Sequence, residues 1–350
     1  MQHTIENKIE THTIIPIISI DKLFSEKYKN EECAKVAESF HKYGICIVKD
    51  PRVSEKDNNI FLDMMENYFE QEHEIKIKDS RPELFYQIGS TPSFTEKPKN
   101  HCSKIIPGID RPVTLCPPNK DSKWRFFWRI GKRPHKTEFS KLNAKQVIPE
   151  NFKKEWSENM NNWGNKLYKS VWDISGALAI GLHLKEQTFQ EMMLFGPHLL
   201  APTGTDLQKF HTINTVMAGY HYDLNFITCH GKSRYPGLYI WLKNGKRIPV
   251  VIPDGCLLMQ AGKQLEWMTG GYIKAGFHEV VVSKETQKKI KEKEKLKESL
   301  WRVSSTFFSH LRSDEILEPL MGKEEDKIKY PKIKVGEQVQ NELKDIALAD

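Results

Sequence analysis

With 350 residues, 39% of them hydrophobic and 10% aromatic, the chain is long enough to bury a sizeable core, which sets disordered and fibrous classes aside. No apolar run approaches the roughly 18 residues of a membrane span, and the opening MQHTIENKIETHT lacks the basic and apolar tracts of a secretory signal. Of the formal net charge of +7, the segment KETQKKIKEKEKLK, 284 to 297, supplies +4 through seven lysines and three glutamates. Mixed-sign charge at this spacing describes a solvated helix rather than a specific nucleic-acid surface. The six cysteines include no C-x-x-C pair, so free thiols in a reducing compartment are expected, with the cytoplasm as the location and no membrane partner.

In chain order, IIPIISIDKLF, 14 to 24, predicts a short strand and a turn in which Asp21 caps a helix. Cys33, Val36, Ala37 and Phe40 then recur at helical spacing until Gly44 stops the pattern, and ICIVKD follows as a buried strand. A second helix is expected over 54 to 71. Residues 80 to 150 are irregular, with prolines at 82, 92, 98, 107, 112, 117, 118, 134 and 149, and long loops of this kind usually carry function. Inside them KWRFFWRIGKRP interleaves basic and aromatic residues. A stacking groove for single-stranded nucleic acid is one reading, and a strand with aromatics inward and arginines outward is the preferred one.

From 151 onward Trp156, Met160, Trp163, Leu167, Val171, Ile174 and Leu178 follow at steps of three or four, the stripe of one long amphipathic helix. Past TGTDLQKF the texture changes to short β segments, TINTVM, LNFITC, GLYIWL, RIPVVI, CLLMQA, HEVVVS and RVSSTFF, with Asn244-Gly245 as a hairpin turn between two of them. Many short strands after helices imply a barrel or sandwich, which the N-terminal strand is free to join. One catalytic unit over 1–350 is expected, with 80–150 variable, 151–200 helical, 205–320 the β core and a charged helical insertion near 284–299.

His221 and Asp223 form an H-x-D pair just ahead of this run. Residues i and i+2 of an extended segment project from one face, so the pair suits a site of two imidazoles and one carboxylate that holds non-haem Fe(II) and leaves positions open. With 13 histidines in the chain the pair alone is a weak signal. Context strengthens it, because His278 in AGFHEVVVS opens an apolar strand and Arg302 and Ser304 lie on a later one.

The segment 219 to 283 resembles the catalytic core of the isopenicillin N synthase-like branch of the Fe(II)/2-oxoglutarate dioxygenases. GLYIWL, KRIPVVIP and GCLLMQAGKQLEWMTGGYIKAGFHEVV stand where that family has its successive core motifs, RVSS supplies its R-x-S, and IPIISIDKL with AKVAESFHKYGICIVKDPRVSE is similar to its N-terminal region. The middle third is unmatched.

The resemblance implies an α+β fold with a mainly β core, a double-stranded β-helix or distorted jelly roll flanked by helices. It implies His221, Asp223 and His278 as catalytic metal ligands, Fe(II) and O2 as reactants with 2-oxoglutarate as cosubstrate, and oxidation of a C–H bond of a small-molecule substrate. Arg302 and Ser304 would take the far carboxylate of 2-oxoglutarate.

Two departures stand out. The family's distal histidine and arginine lie closer together, whereas Arg302 here stands 24 positions after His278. Its tyrosine and proline pattern before H-x-D is replaced by NTVMAGY, so that Asn214 is a candidate for a polar contact to the cosubstrate. Arg125, Arg129 and Tyr86 are candidate contacts for an anionic or polar substrate. Phe226, Ile227, Leu238, Ile240, Met259 and Trp267 are candidate walls, and His230 is read as an exposed loop residue. The alternatives are an isopenicillin N synthase-like oxidase that works without 2-oxoglutarate and a non-catalytic scaffold.

Overall fold

The structure, a computed structural model, describes residues 15–348, so the opening tract read above for an export signal lies outside the described residues. Five longer helices stand out: α1 Lys29–Tyr43, α2 Glu55–Glu70, α3 Trp156–Gly181, α4 Lys284–Leu296 and α5 Val335–Asp345. Local signals mark some of their ends. The Ser54 hydroxyl accepts from the Asp57 N–H at 3.1 Å to open α2, while Gly44, in the left-handed region at φ 73°, ends α1. All seven stripe residues of α3 are at most 1% exposed. At the end of α3 a Cβ on Gly181 would meet the Cys33 carbonyl at 2.3 Å, so glycine is what lets α1 approach.

Strands β1 Ile17–Ser19, β2 Ile45–Lys49, β3 Gly89–Thr91, β4 Trp124–Ile130, β5 His198–Leu200, β6 Thr203–Asp206, β8 Ile227–His230, β11 Cys256–Ala261, β13 Trp301–Val303 and β14 Thr306–Ser309 make one large sheet. Its order is β1-β2-β11-β8-β14-β5-β4-β6-β13, with β3 on β4, and helix α3 packs across its back. The N-terminal strands therefore join the later sheet, β2 running antiparallel to β11. A second sheet, ordered β10-β9-β12-β7, contains β7 Val216–His221, β9 Leu238–Trp241, β10 Arg247–Pro249 and β12 His278–Val281. The Asn244-Gly245 turn joins β9 to β10, Gly245 taking φ 82°. The two sheets and their helical cover form the jelly roll expected from the resemblance.

Three expectations need correction. Cys102 and Cys116 form a disulfide, so among the described residues only Cys33, Cys46, Cys229 and Cys256 are free. Strand β4 is buried along its whole length, Arg125 and Arg129 included, so the strand of KWRFFWRIGKRP presents neither outward arginines nor a stacking groove, and of the basic residues only Lys132 and Arg133, beyond its end, are exposed. RVSSTFF is not one strand but two, β13 and β14, which pair with different neighbours, β6 for the first and β5 and β8 for the second.

Candidate active site

Antiparallel pairing of β7 with β12 sets His278 directly opposite His221. Asp223 follows β7 by two residues, its backbone carbonyl accepting from Lys263 N–H at 2.8 Å and its Oδ2 from the Thr228 hydroxyl at 2.6 Å. Its other oxygen, Oδ1, lies 3.6 Å from His221 Nε2 and 3.7 Å from His278 Nε2. One ligand atom from each of the three residues falls within 4.8 Å of the others.

The histidine tautomers follow from their partners. Nδ1 of His221 lies 2.5 Å from the Gly219 carbonyl and Nδ1 of His278, more loosely, 3.4 Å from that of Gly276. A carbonyl only accepts, so each Nδ1 carries a proton and each Nε2 is the ring nitrogen that faces the Asp223 carboxylate. Burial and the neighbouring His221 bring His278 down to about 3. Burial opposes the charge on Asp223, yet His278, His221 and the Thr228 hydroxyl outweigh it and hold the carboxyl well below its ordinary value. Burial opposes charge on His221 as well, but the Asp223 carboxylate outweighs it and raises that ring above its ordinary value, so a metal ion would displace a proton there. Two imidazoles and one carboxylate, converging from one side, are a donor set that fits a divalent transition metal.

The three side chains line a cavity of about 150 Å³ between the sheets. Arg302, on β13, and Ser304, just after it, line the same cavity. Arg302 is 6% exposed, and its Nε donates to the Pro236 carbonyl at 3.3 Å. No acidic side chain among the described residues pairs with it, and burial lowers the guanidinium to about 10. The Ser304 Oγ accepts from the Thr203 N–H at 2.9 Å and the Thr203 hydroxyl at 3.0 Å, leaving its own proton to donate. The insertion between His278 and Arg302 is α4, whose Ile290 packs with Leu207, Met217, Tyr235 and Val282 as a small separate cluster. The detour leaves both strands in their sheets.

Residues 195–311 match the family model described as the 2OG-Fe(II) oxygenase superfamily, and residues 15–162 match the one described as the non-haem dioxygenase in morphine synthesis N-terminal region. The chain belongs to the isopenicillin N synthase-like Fe(II)/2-oxoglutarate oxygenase family. It is 26% identical over 216 residues to the Kihadalactone A synthase LFS of Citrus sinensis, and the match spans 57% of this chain and 58% of that relative's length. Two solved structures share the fold. A 2OG-Fe(II) oxygenase family protein from Caulobacter crescentus superposes with a TM-score of 0.75 at 22% identity, over 95% of this chain and 99% of that one. A full-length Neurospora crassa protein, solved in complex with alpha-KG, gives 0.72 at 18% identity, over 94% and 96%.

Other expected site residues lie elsewhere. Asn214 is an exposed turn residue at φ 68° that donates its N–H to the Val282 carbonyl and does not line the cavity. Its left-handed backbone, not a ligand contact, explains an asparagine there. His230 is no loop residue: it ends β8, is 8% exposed and lines the cavity. Of the six expected wall residues only Leu238 faces the cavity. Arg129 is a structural residue, donating to Asn143 and to the carbonyls of Lys132, Phe195 and Gly196. Tyr86 does not line the cavity, whereas Arg125 does, paired with Glu96.

Residues that the sequence reading passed over include Thr203, Thr228, His101 and His310. Thr228 and His230 share a face of β8 by simple alternation, a signal available once Asp223 is placed. His101 sits beside the loop that the disulfide closes. That loop docks on Glu279, whose carboxylate accepts from the backbone of Val113 and Thr114 at 3.0 to 3.2 Å and from the Thr114 hydroxyl at 2.9 Å.

Proposed function

We propose that the chain is an Fe(II)- and 2-oxoglutarate-dependent oxygenase that oxidises a C–H bond of a small molecule. The observation that carries the reading is the pairing, in one cavity, of the His221–Asp223–His278 donor set with Arg302, a buried cation that has no acidic partner among the described residues. A buried guanidinium without a counter-ion is costly, and a planar carboxylate from a ligand removes that cost with two parallel hydrogen bonds.

In this reading His221, Asp223 and His278 hold the ion, and Thr228 keeps the Asp223 carboxylate oriented. Bound iron supplies the redox chemistry, in which O2 oxidises both the substrate and 2-oxoglutarate, the latter to succinate and carbon dioxide. Arg302 and Ser304 fix the far carboxylate of the cosubstrate. Leu238, Val280 and Ala218 exclude water from the inner end, so that oxidation is directed to a bound substrate rather than to solvent.

The test is anaerobic titration with Fe(II) and then 2-oxoglutarate, followed by absorption spectroscopy. A metal-to-ligand charge-transfer band is expected in the unaltered protein and absent in Asp223→Ala. Iron binding with no band and no oxygen-dependent succinate would instead assign the isopenicillin N synthase-like oxidase, and absence of Fe(II) affinity would leave a non-catalytic scaffold. Among the described residues no helix is long and apolar enough to cross a membrane. The expectation of a cytoplasmic setting rested on the opening tract and the lack of a long apolar run, with free thiols in support, and the Cys102–Cys116 bond removes part of that support.

A further inference from the structure

Apart from Asp223 and Arg302, the cavity wall carries six charged side chains, Glu96, Lys99, Asp121, Lys123, Arg125 and Glu342. They neutralise one another. Lys123 pairs with Glu96 at 3.2 Å and with Asp121 in direct contact. Arg125 pairs with the same Glu96 and lies 3.9 Å from the centre of the Phe127 ring. Lys99 meets Glu342 at 3.6 Å and Asp345 at 2.5 Å. Three cations thus face three anions, and Arg302, which the proposed cosubstrate neutralises, is the unmatched cation among the described residues of the wall.

Besides His221 and His278, three imidazoles stand on the same wall, and His230 already meets the Thr306 hydroxyl through Nδ1 at 3.4 Å, while its buried Nε2 has no hydrogen-bond partner among the described residues. His310 is 3% exposed, and its buried Nδ1 has no hydrogen-bond partner among the described residues. Burial keeps its ring uncharged, bringing it down to about 3. His101, 8% exposed, packs between Tyr222 and Phe277 with centroids 4.9 and 5.0 Å away. Phe127, Leu199, Phe308 and Leu343 add apolar surface to the same wall. A buried polar atom left without a partner is costly, and a ligand that supplies the partner recovers that cost. An ionic ligand would bring a charge into a wall whose own charges are already matched, which is strongly disfavoured.

We infer that the primary substrate is an uncharged, largely apolar molecule bearing a carbonyl, hydroxyl or amide group that hydrogen-bonds to His310, with His101 packing against it. The inference rests on the oxygenase reading and names its substrate class.

The test uses the full chain loaded with Fe(II) and 2-oxoglutarate in the absence of oxygen. Three probes of matched size, phenylacetamide, phenylacetate and phenethylammonium, are titrated by ligand-observed NMR. The amide is expected to bind about tenfold or more tightly than either ion. His310→Leu is expected to weaken the amide about fivefold and His310→Gln, which retains a hydrogen-bonding group, to restore most of that loss. In both variants the charge-transfer band of bound 2-oxoglutarate should be unchanged, which shows that the fold and the metal site survive. An ion that binds as well as the amide, an amide affinity indifferent to His310→Leu, or binding of none of the three probes overturns the inference. Absence of the band in the unaltered protein overturns the oxygenase reading instead.

Discussion

Two groups of cavity-lining residues are built from different kinds of chain. In the first, called the inner end here, His221, His278 and Arg302 project from strands whose backbone pairing fixes them, His278 against His221 and Arg302 against Thr205. In the second, called the mouth here, His101 comes from a long loop and Glu342 from the C-terminal helix α5. These are held by side-chain devices, the Cys102–Cys116 bond, the Lys99–Asp345 pair and the Tyr222 hydroxyl donating to Glu342 at 3.1 Å. Groups common to a reaction belong on a rigid ladder, whereas groups that choose a substrate belong on segments free to vary between relatives.

If that division is right, substitutions should sort by end. The largest effect is expected from Arg302→Met, which should raise the dissociation constant of 2-oxoglutarate by about a hundredfold, the loss of a bidentate charged contact, while Fe(II) affinity is kept. Calorimetric titration under nitrogen reads both, and an unchanged constant would remove Arg302 from the cosubstrate site. Next, Thr228→Val deletes the hydroxyl that holds Asp223 Oδ2 and should weaken Fe(II) binding about tenfold with little change in the fold. Competition with a chelator measures it, and equal affinity would mean that the Lys263 N–H contact and the backbone suffice. The smallest effect belongs to the mouth. Lys99→Met, at a side chain 33% exposed, should cost less than about 1 kcal/mol in urea denaturation and leave the charge-transfer band alone. A shift in that band would show that the two ends are not independent.

The inner end was legible in the sequence because its geometry is carried by local periodicity. H-x-D on an extended segment puts two candidate ligands on one face, and an apolar strand opening with His278 supplies the third candidate. The α3 stripe, the β9–β10 turn and the burial of β2 were readable for the same reason. The mouth was not, since its partners are joined by long-range pairing that no short pattern encodes. Arg125 looks like an outward residue among inward aromatics until Glu96, 29 positions earlier, is seen beside it. Cys102 and Cys116 carry no recognisable spacing, and the docking of Val113 and Thr114 on Glu279, 166 and 165 positions away, is what folds their loop back. Asn214 failed differently: an amide suited to a ligand is equally suited to a left-handed turn, and the backbone used it for the turn.

The direct apposition of His221 and His278 across β7 and β12 has a consequence for assembly of the chain. Successive side chains of a strand alternate between faces, so sliding either strand by a single residue would carry one imidazole to the opposite side of the sheet and dissolve the chelate. If the three side chains hold the ion as proposed, only molecules whose second sheet has zipped in the right alignment would retain it, and the fraction of a preparation that does so would count the correctly knitted chains.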